Sequence, residues 1–168
     1  QDEVIRREIG ISEGGLYSRT ILKDSLISLR RLGYFSDVQI ATSEVEGMND
    51  KIDINFTVEE TQTGAVSFSM SHSNNYGIAF GAGIKEKNIF GSGNTLNADL
   101  KVSKSFNKIS VYFMNPNFND ENHSISIGAF KSEIDDDDVA ANSYEIDSTG
   151  FNFGYGIPLQ NDTRINAD

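Results

Sequence analysis

The side chains that could carry out catalysis or bind a metal are few and scattered in this sequence. The chain has two histidines, His72 and His123, and no cysteine. The two histidines fall on different predicted strands, and neither is accompanied by the spaced carboxylates that a metal site or a catalytic site requires. We therefore expect no catalytic residue, no metal site and no cofactor, and we do not interpret the chain as an enzyme.

An acidic run and two glycine-rich stretches are further candidates, for calcium binding and phosphate binding respectively. The run Asp135 to Asp138 lacks the glycine and the downstream glutamate of an EF-hand loop, so we interpret it as a solvated surface loop. The stretches 81–83 and 91–93 are not followed by Gly-Lys-Ser/Thr or by a helix, and therefore are not phosphate loops. Such glycines are typical of barrel strands and turns.

Composition excludes several classes of protein. The chain has 168 residues and a net charge of −11, from 14 basic and 25 acidic side chains, which argues against a nucleic-acid partner because phosphate binding needs a basic face. No apolar run approaches the roughly 18 to 20 residues of a membrane-spanning helix. The mean hydropathy of −0.37 does not exclude a membrane barrel, because alternating strands average to a value typical of soluble proteins.

The first 60 residues carry the only helical patterns. A short first helix is predicted to end at Gly10, and a second is predicted to begin at the cap residue Ser18 and to end at Gly33. After these helices, two strands are predicted, over Tyr34 to Ser43 and Lys51 to Glu59. A turn is predicted between them, over Glu46 to Asp50.

The predicted order α-α-β-β is incomplete as a fold. Two strands give a marginal sheet whose apolar face both helices must cover. Because the chain also begins directly at a helix and without an initiator Met, we expect a further strand upstream of Gln1 and interpret the sequence as part of a longer protein.

From Gly64 onward the pattern changes to alternation with a period of two. In the first such strand the apolar and hydroxyl-bearing positions alternate, over Val66, Ser67, Phe68, Ser69, Met70 and Ser71. This places an apolar face and a polar face on one strand. The pattern is typical of a membrane barrel strand between lipid and water, and equally of an edge strand in a soluble sandwich.

Five more alternating strands and the start of a seventh are predicted after it, each close to the roughly 9 to 11 residues that a tilted strand needs to cross a bilayer. The second of the six is expected to run from about Tyr76 to Phe90. The connections 91–93 and 159–162 are expected to be tight, whereas 132–143 is expected to be a long loop. Tight turns on one side and long loops on the other are typical of outer-membrane barrels.

Several sequence blocks resemble a known family over nearly the whole chain. The blocks occur in the family's order: Arg6-Arg7-Glu8, Glu13-Gly14, Leu29-Arg30-Arg31-Leu32-Gly33-Tyr34-Phe35, Val58-Glu59-Glu60, Asn88-Ile89-Phe90-Gly91-Ser92-Gly93-Asn94 and Asn115-Pro116-Asn117-Phe118. They are similar to the outer-membrane protein assembly factors, a family of insertases that combine POTRA domains with a β-barrel.

The resemblance implies a fold and a location. It implies an α+β POTRA domain of the β-α-α-β-β type over residues 1–63, here without its first strand. It also implies the first six antiparallel transmembrane strands, and the start of a seventh, of an incomplete β-barrel over residues 64–168. Such a protein lies in the outer membrane of a Gram-negative bacterium, with the POTRA domain in the periplasm.

The same resemblance implies partners and site residues. It implies insertion of unfolded outer-membrane proteins into the lipid bilayer without ATP, and contact between Glu13 and an assembly lipoprotein. The first barrel strand, Val66 to Ser71, is poor in β-branched residues, so we expect a weak lateral seam there whose backbone pairs with a substrate strand. Two alternatives remain open: a two-partner secretion transporter of the same plan, and a soluble all-β binding protein with an α+β appendage.

Overall fold

The computed structural model describes residues 2–74, 77–119, 121–136, 144–159 and 164–167. The chain divides into two compact units, Gln1–Thr63 and Gly64–Asp168. Within the described residues, no helix is long and apolar enough to cross a membrane.

The first unit begins with two helices, α1 at Asp2–Glu8 and α2 at Arg19–Leu32. The Ser18 hydroxyl oxygen accepts a hydrogen bond from the Ile21 N–H at 3.4 Å, which satisfies one of the free donors at the start of α2. At the other end Gly33 adopts a left-handed conformation, with φ of 70°, a conformation that glycine reaches without a steric penalty. Both predicted ends of α2 are confirmed.

Two antiparallel strands follow, β1 at Phe35–Val45 and β2 at Met48–Glu60. The predicted turn over Glu46 to Asp50 was too long, because only Glu46 and Gly47 separate the strands. Gly47 has φ of 79°, and glycine at such an angle allows a two-residue connection. The residues from Met48 onward therefore belong to β2.

The core of this unit lies between α2 and the β1–β2 sheet. Leu29 and Val38 are its largest fully buried side chains, at 0% and 1% exposure, and Phe35 is buried beside them. The apolar residues packed around this cluster come from both helices, from β2 and from the residue before β1: Ile5, Leu26, Leu32, Tyr34, Phe56 and Val58. Burial of one face of each element is what holds so small a sheet against the helices.

The second unit is one antiparallel sheet with the order β3-β4-β5-β6-β7-β8-β9. Its strands are β3 Gly64–Ser73, β4 Gly77–Glu86, β5 Thr95–Ser103, β6 Phe106–Asn115, β7 Ser124–Asp136, β8 Tyr144–Pro158 and β9 Arg164–Ala167. Every strand pairs with its sequence neighbours, so the sheet is a meander. Within the described residues it is open, with β3 at one edge and β9 at the other.

Register gives the sheet one apolar and one polar face. Residues directly opposite each other on paired strands share a face, and the pairing carries apolar residues across the sheet: Val66 to Ile84, Ile84 to Ala98, Ala98 to Val111, Val111 to Ala129 and Ala129 to Phe151. The residues between them along each strand, including Ser67, Asp99 and Ser110, form the opposite face. Strand alternation was therefore predicted correctly.

The tight connection expected at 91–93 is wrong, because residues 87–94 lie between β4 and β5. The connection expected at 159–162 lies, apart from Leu159, outside the described residues. At the end of the sheet where β3 begins, the strands are joined by residues 87–94, 116–123 and 159–163, whereas residues 74–76, 104–105 and 137–143 join them at the other end. The Ser103 hydroxyl closes the shortest connection by accepting from Phe106 N–H at 2.9 Å and donating to Phe106 O at 3.0 Å.

The structure also corrects the bounds of one predicted loop and one predicted strand. The loop expected over 132–143 is shorter, because β7 and β8 continue to pair as far as Asp136 and Tyr144. Asp135 and Asp136 therefore lie in a strand, while Asp137 and Asp138 lie outside the described residues. The second barrel strand ends at Glu86 instead of Phe90, because residues 89–91 form a 3₁₀ turn.

Candidate functional site

The predicted seam residues, Val66 to Ser71, lie in the middle of β3 at an edge of the sheet. No strand of the described chain pairs with the outer side of β3. In an antiparallel strand, alternate residues direct both backbone N–H and C=O to the same side. The outer side of β3 is therefore a row of backbone donors and acceptors.

The apolar side chains of this strand are strongly exposed. Val66, Phe68 and Met70 are 63%, 82% and 72% exposed. They continue across β4 through Ile78, Phe80 and Ile84, which are all more than half exposed. An apolar surface of this continuity marks a contact with lipid or with another protein.

On the polar face, the inner side of β3 meets β4 through serine and glycine. Ser67 lies opposite Gly83, and Ser69 lies opposite Gly81. A β-carbon at Gly83 would lie 2.8 Å from the Ser67 hydroxyl oxygen and 2.7 Å from an Asp99 carboxylate oxygen, and one at Gly81 would overlap the Ser69 hydroxyl oxygen. The glycines therefore make room for the serine hydroxyls. Composition could not reveal this pairing, because it depends on register.

A polar cavity of about 360 Å³ opens on the same face. The seam serines line it together with Asp99, Lys101, Lys108 and Ser110. Lys101 lies directly opposite Lys108 across β5 and β6, and their ammonium groups lie 5.8 Å and 5.4 Å from the ring centres of Phe106 and Phe130. Charged side chains indicate that this face is in contact with water, because an unpaired charge is costly in an apolar medium.

Glu13, the predicted lipoprotein contact, lies in the loop between α1 and α2. It lies within a turn, in which the Gly15 N–H donates to Ser12 O at 2.9 Å and Gly14 has φ of 74°. The Glu13 side chain is 90% exposed, and one of its carboxylate oxygens accepts a hydrogen bond from Arg6 at 3.0 Å. Sequence reasoning missed this pair because Glu13 lies beyond the end of α1, in a loop whose path the sequence does not reveal.

Arg6 holds two carboxylates at once. It also donates to Asp2 at 2.8 Å, and its hydrogen bonds to Asp2, chiefly, and to Glu13 raise the pKa of Arg6 above its ordinary value. The result is an exposed acidic loop whose carboxylate is oriented by a neighbouring cation.

The two histidines are far apart in the sheet. His72 lies in β3, and His123 lies just before β7 instead of within a strand as predicted. The His123 ring has Nδ1 2.5 Å from the Tyr155 hydroxyl and Nε2 3.2 Å from a Glu121 carboxylate oxygen. Among the described residues, no group of three or more His, Asp or Glu side chains is placed to hold a metal ion.

Two protein families match the chain, one within each unit. Residues 1–61 match the POTRA family, described as a surface antigen variable number repeat, and residues 88–168 match the Omp85 superfamily domain. The class is therefore a POTRA domain joined to part of an Omp85 barrel region.

Individual relatives narrow this class. The chain is 28% identical over 170 residues to the outer membrane protein assembly factor BamA of Neisseria meningitidis serogroup B, and 30% identical over 173 residues to that of Buchnera aphidicola; each alignment covers 99% of the chain. In fold it is similar to a crystal structure of Haemophilus ducreyi BamA lacking POTRA domains 1–3, with a TM-score of 0.82 at 23% identity over 95% of the chain. The chain is a homologue of the BamA proteins.

The chain spans only part of these relatives. It covers 21% of the Neisseria protein, 27% of the Buchnera protein and 30% of the Haemophilus chain.

Proposed function

We propose that this chain belongs to an outer-membrane protein assembly factor of a Gram-negative bacterium, with the first unit in the periplasm and the sheet forming part of a barrel wall in the outer membrane. The homology to BamA proteins supports this assignment. The exposed apolar face faces lipid and the polar face lines a water-filled interior, as in outer-membrane barrels. Because open edges in hydrocarbon leave backbone groups unpaired, strands outside this chain close the barrel.

We further propose that the outer edge of β3 receives the substrate. When the seam between β3 and the closing strand opens, the backbone donors and acceptors on the outer side of β3 pair with a strand of an unfolded outer-membrane protein, by the strand addition that exposed edges permit. The observation that supports this proposal is that β3 is the first strand of the sheet, so its outer side is where a closing strand has to pair. Backbone pairing is independent of side chains, so a single edge accepts many substrate sequences without ATP or a chemical step.

Disulfide trapping in the full-length protein tests the pairing. Cysteines replace Ser67 or Ser69 in β3, and a stalled substrate carries single cysteines along its last strand. Paired strands bring Cα atoms within the 4.4–6.8 Å that a disulfide spans, so we expect capture at one register. Ser110→Cys in the interior of the wall is the matched control. Capture at Ser110 but never at β3 would contradict the proposal and favour passage of the chain through the interior, as in a secretion transporter.

Glu13 is the proposed contact for an assembly lipoprotein. A carboxylate accepts several hydrogen bonds, so its bond to Arg6 leaves capacity for a cationic group of the partner. In that case Glu13→Lys lowers the affinity for the lipoprotein by about 1–3 kcal/mol and weakens its salt dependence.

Arg6→Gln is the matched control for this contact. It breaks the same ion pair but keeps the Glu13 carboxylate, so we expect binding to be unchanged or stronger. Equal losses for Glu13→Lys and Arg6→Gln, measured by pull-down or surface binding at two salt concentrations, would mean that the ion pair only shapes the loop.

A further inference from the structure

The polar face of the β3–β9 sheet contains glycines that are covered by side chains of the neighbouring strands. A β-carbon at any of three such glycines would overlap the side chain that lies over it. These pairs are Asn152 over Gly128, Phe130 over Gly150, and Ser124 with Asn166 over Gly156. A side chain laid across an opposite glycine fills the space that the missing side chain leaves, and aromatic rings fill it well.

Phe130 shows how this face holds an aromatic ring. Its ring lies over Gly150, which is directly opposite on β8, and the Lys108 ammonium group lies 5.4 Å from the ring centre. Glycine backbone beneath a ring and a cation beside it therefore hold an aromatic side chain on a face that is otherwise polar.

Gly81 has a shorter cover than these glycines. Ser69 lies opposite it on β3, and Lys101 lies opposite it on β5. The side-chain atoms nearest to a β-carbon at Gly81 are those of Ser69, and the nearest other atom is the Leu100 backbone oxygen at 3.7 Å. Lys101 extends instead toward Phe106, whose ring centre lies 5.8 Å from its ammonium group. The space above Gly81 is therefore open, and it belongs to the polar cavity of about 360 Å³.

This open space lies beside the outer edge of β3. The Ser69 hydroxyl is turned toward β4, since it would overlap a β-carbon at Gly81, and the Ser67 hydroxyl is directed to the Gly83 carbonyl oxygen at 3.5 Å. Both hydroxyls therefore point away from the outer side, where a paired strand would lie about 4.8 Å from β3. A large side chain opposite Ser69 can cross this short residue and reach the space above Gly81.

The walls of the cavity favour an aromatic ring over a charged group. Asp99 and Lys101 lie two residues apart on β5, and both line the cavity, so an added charge of either sign meets a like charge. An aromatic ring has no net charge, packs flat on glycine backbone and attracts a cation to its face. Tyrosine also supplies a hydroxyl that hydrogen-bonds to water or to the serines.

We propose that the seam selects substrate strands that carry an aromatic side chain opposite Ser69, whose ring lies over Ser69 and Gly81 beside Lys101. The inference rests on the proposed function, because it requires a substrate strand to pair with β3. It adds a side-chain preference to a pairing that the backbone alone leaves open to many sequences. Substrates without the ring still pair, but they occupy the seam less.

Competition for disulfide capture in the full-length protein tests this preference. The protein carries Ser67→Cys, and two stalled substrates, distinguished by a tag, carry one cysteine at the position that pairs with residue 67. They differ two residues away, in the side chain opposite Ser69, which is tyrosine in one and alanine in the other. In a glutathione buffer, where disulfides exchange, we expect about threefold to tenfold more capture of the tyrosine substrate.

Two variants of the wall locate the preference. Gly81→Ala raises the floor of the cavity, and Lys101→Met removes the cation but keeps an aliphatic stem, so we expect each to lower the capture ratio about twofold or more. Gly128→Ala is the matched control for Gly81→Ala, because its β-carbon also overlaps a side chain of the polar face, that of Asn152, but lies away from the seam. It should leave the ratio unchanged.

The outcomes separate this inference from the proposed function. Equal capture of the two substrates, or a preference that neither Gly81→Ala nor Lys101→Met lowers, would overturn the inference and leave strand pairing at β3 intact. Stronger capture of a third substrate with lysine opposite Ser69 would also overturn it, because recognition would then depend on the charge of Asp99. No capture of any substrate at residue 67 would overturn the proposed function itself.

Discussion

The two units of this chain place their apolar residues in opposite ways. In the first unit, Leu29 and Val38 are fully buried between a helix and a sheet. In the second, Ala79 is the only buried apolar side chain among the described residues, while Phe68 and Phe151 are each 82% exposed.

The difference shows what each unit needs from its surroundings. A sheet with one packed face and one wet face is stable in water because the hydrophobic effect acts through the packed face. The β3–β9 sheet has no layer on its apolar face within the described residues, and under the proposed function lipid supplies the apolar contact. The first unit has a hydrophobic core of its own, whereas the second is a single-layer sheet.

The strongest test of this contrast separates the units. We expect residues 64–168, expressed alone in water, to aggregate, because the apolar face and both sheet edges stay uncovered. Gel filtration and limited proteolysis provide the measurement. A monodisperse, protease-resistant 64–168 in water would contradict the membrane assignment and favour a soluble all-β protein.

The part of the fold that was predictable follows from the same contrast. Ser18 and Gly33 are local signals whose chemistry acts within one turn, and they fixed the ends of α2 correctly. Alternation likewise identified the strands, because the faces of a strand depend only on the strand itself.

What could not be predicted depends on partners distant in sequence. The pairing of Ser69 with Gly81 requires the register, and the salt bridge between Arg6 and Glu13 requires the path of the loop. The connection lengths failed for the same reason: acidic residues such as Asp135 resemble a loop in isolation, yet β8 supplies a partner strand that keeps them extended.

Within the first unit, loss of a buried side chain should be costly. Leu29→Ala should lower the free energy of unfolding of this unit by about 2–5 kcal/mol, because Leu29 is completely buried. Ile27→Ala on the same helix, where the side chain is 44% exposed, is the control and should cost much less. Urea unfolding of the first unit, followed within the full-length protein, provides the measurement. Similar losses of unfolding free energy at both positions would contradict the assigned core.

Within the sheet, the cost should depend on the face. Phe153→Lys puts a charge on the apolar face and should destabilise the full-length protein in vesicles by about 2–4 kcal/mol if it lies near the bilayer centre. Ser126→Lys is the matched control, since Ser126 lies opposite Gly154 on the polar face of the same two strands. Refolding yield and denaturant titration measure both, and a larger loss for Ser126→Lys would invert the assignment of the faces.

The smallest expected effect concerns the packing of the seam itself. Gly81→Ala should destabilise the full-length protein by about 1 kcal/mol, because the new methyl group overlaps the Ser69 hydroxyl and forces it to move. In a Ser69→Ala background the nearest remaining side-chain atom is the β-carbon of residue 69, at 3.8 Å, an ordinary contact.

The same substitution should then be neutral or stabilising by up to about 1 kcal/mol, because alanine restricts the unfolded chain more than glycine does. A double-mutant cycle by denaturant unfolding in vesicles measures the coupling. Equal costs in the two backgrounds would show that the backbone of β4, and not the serine of β3, requires glycine at position 81.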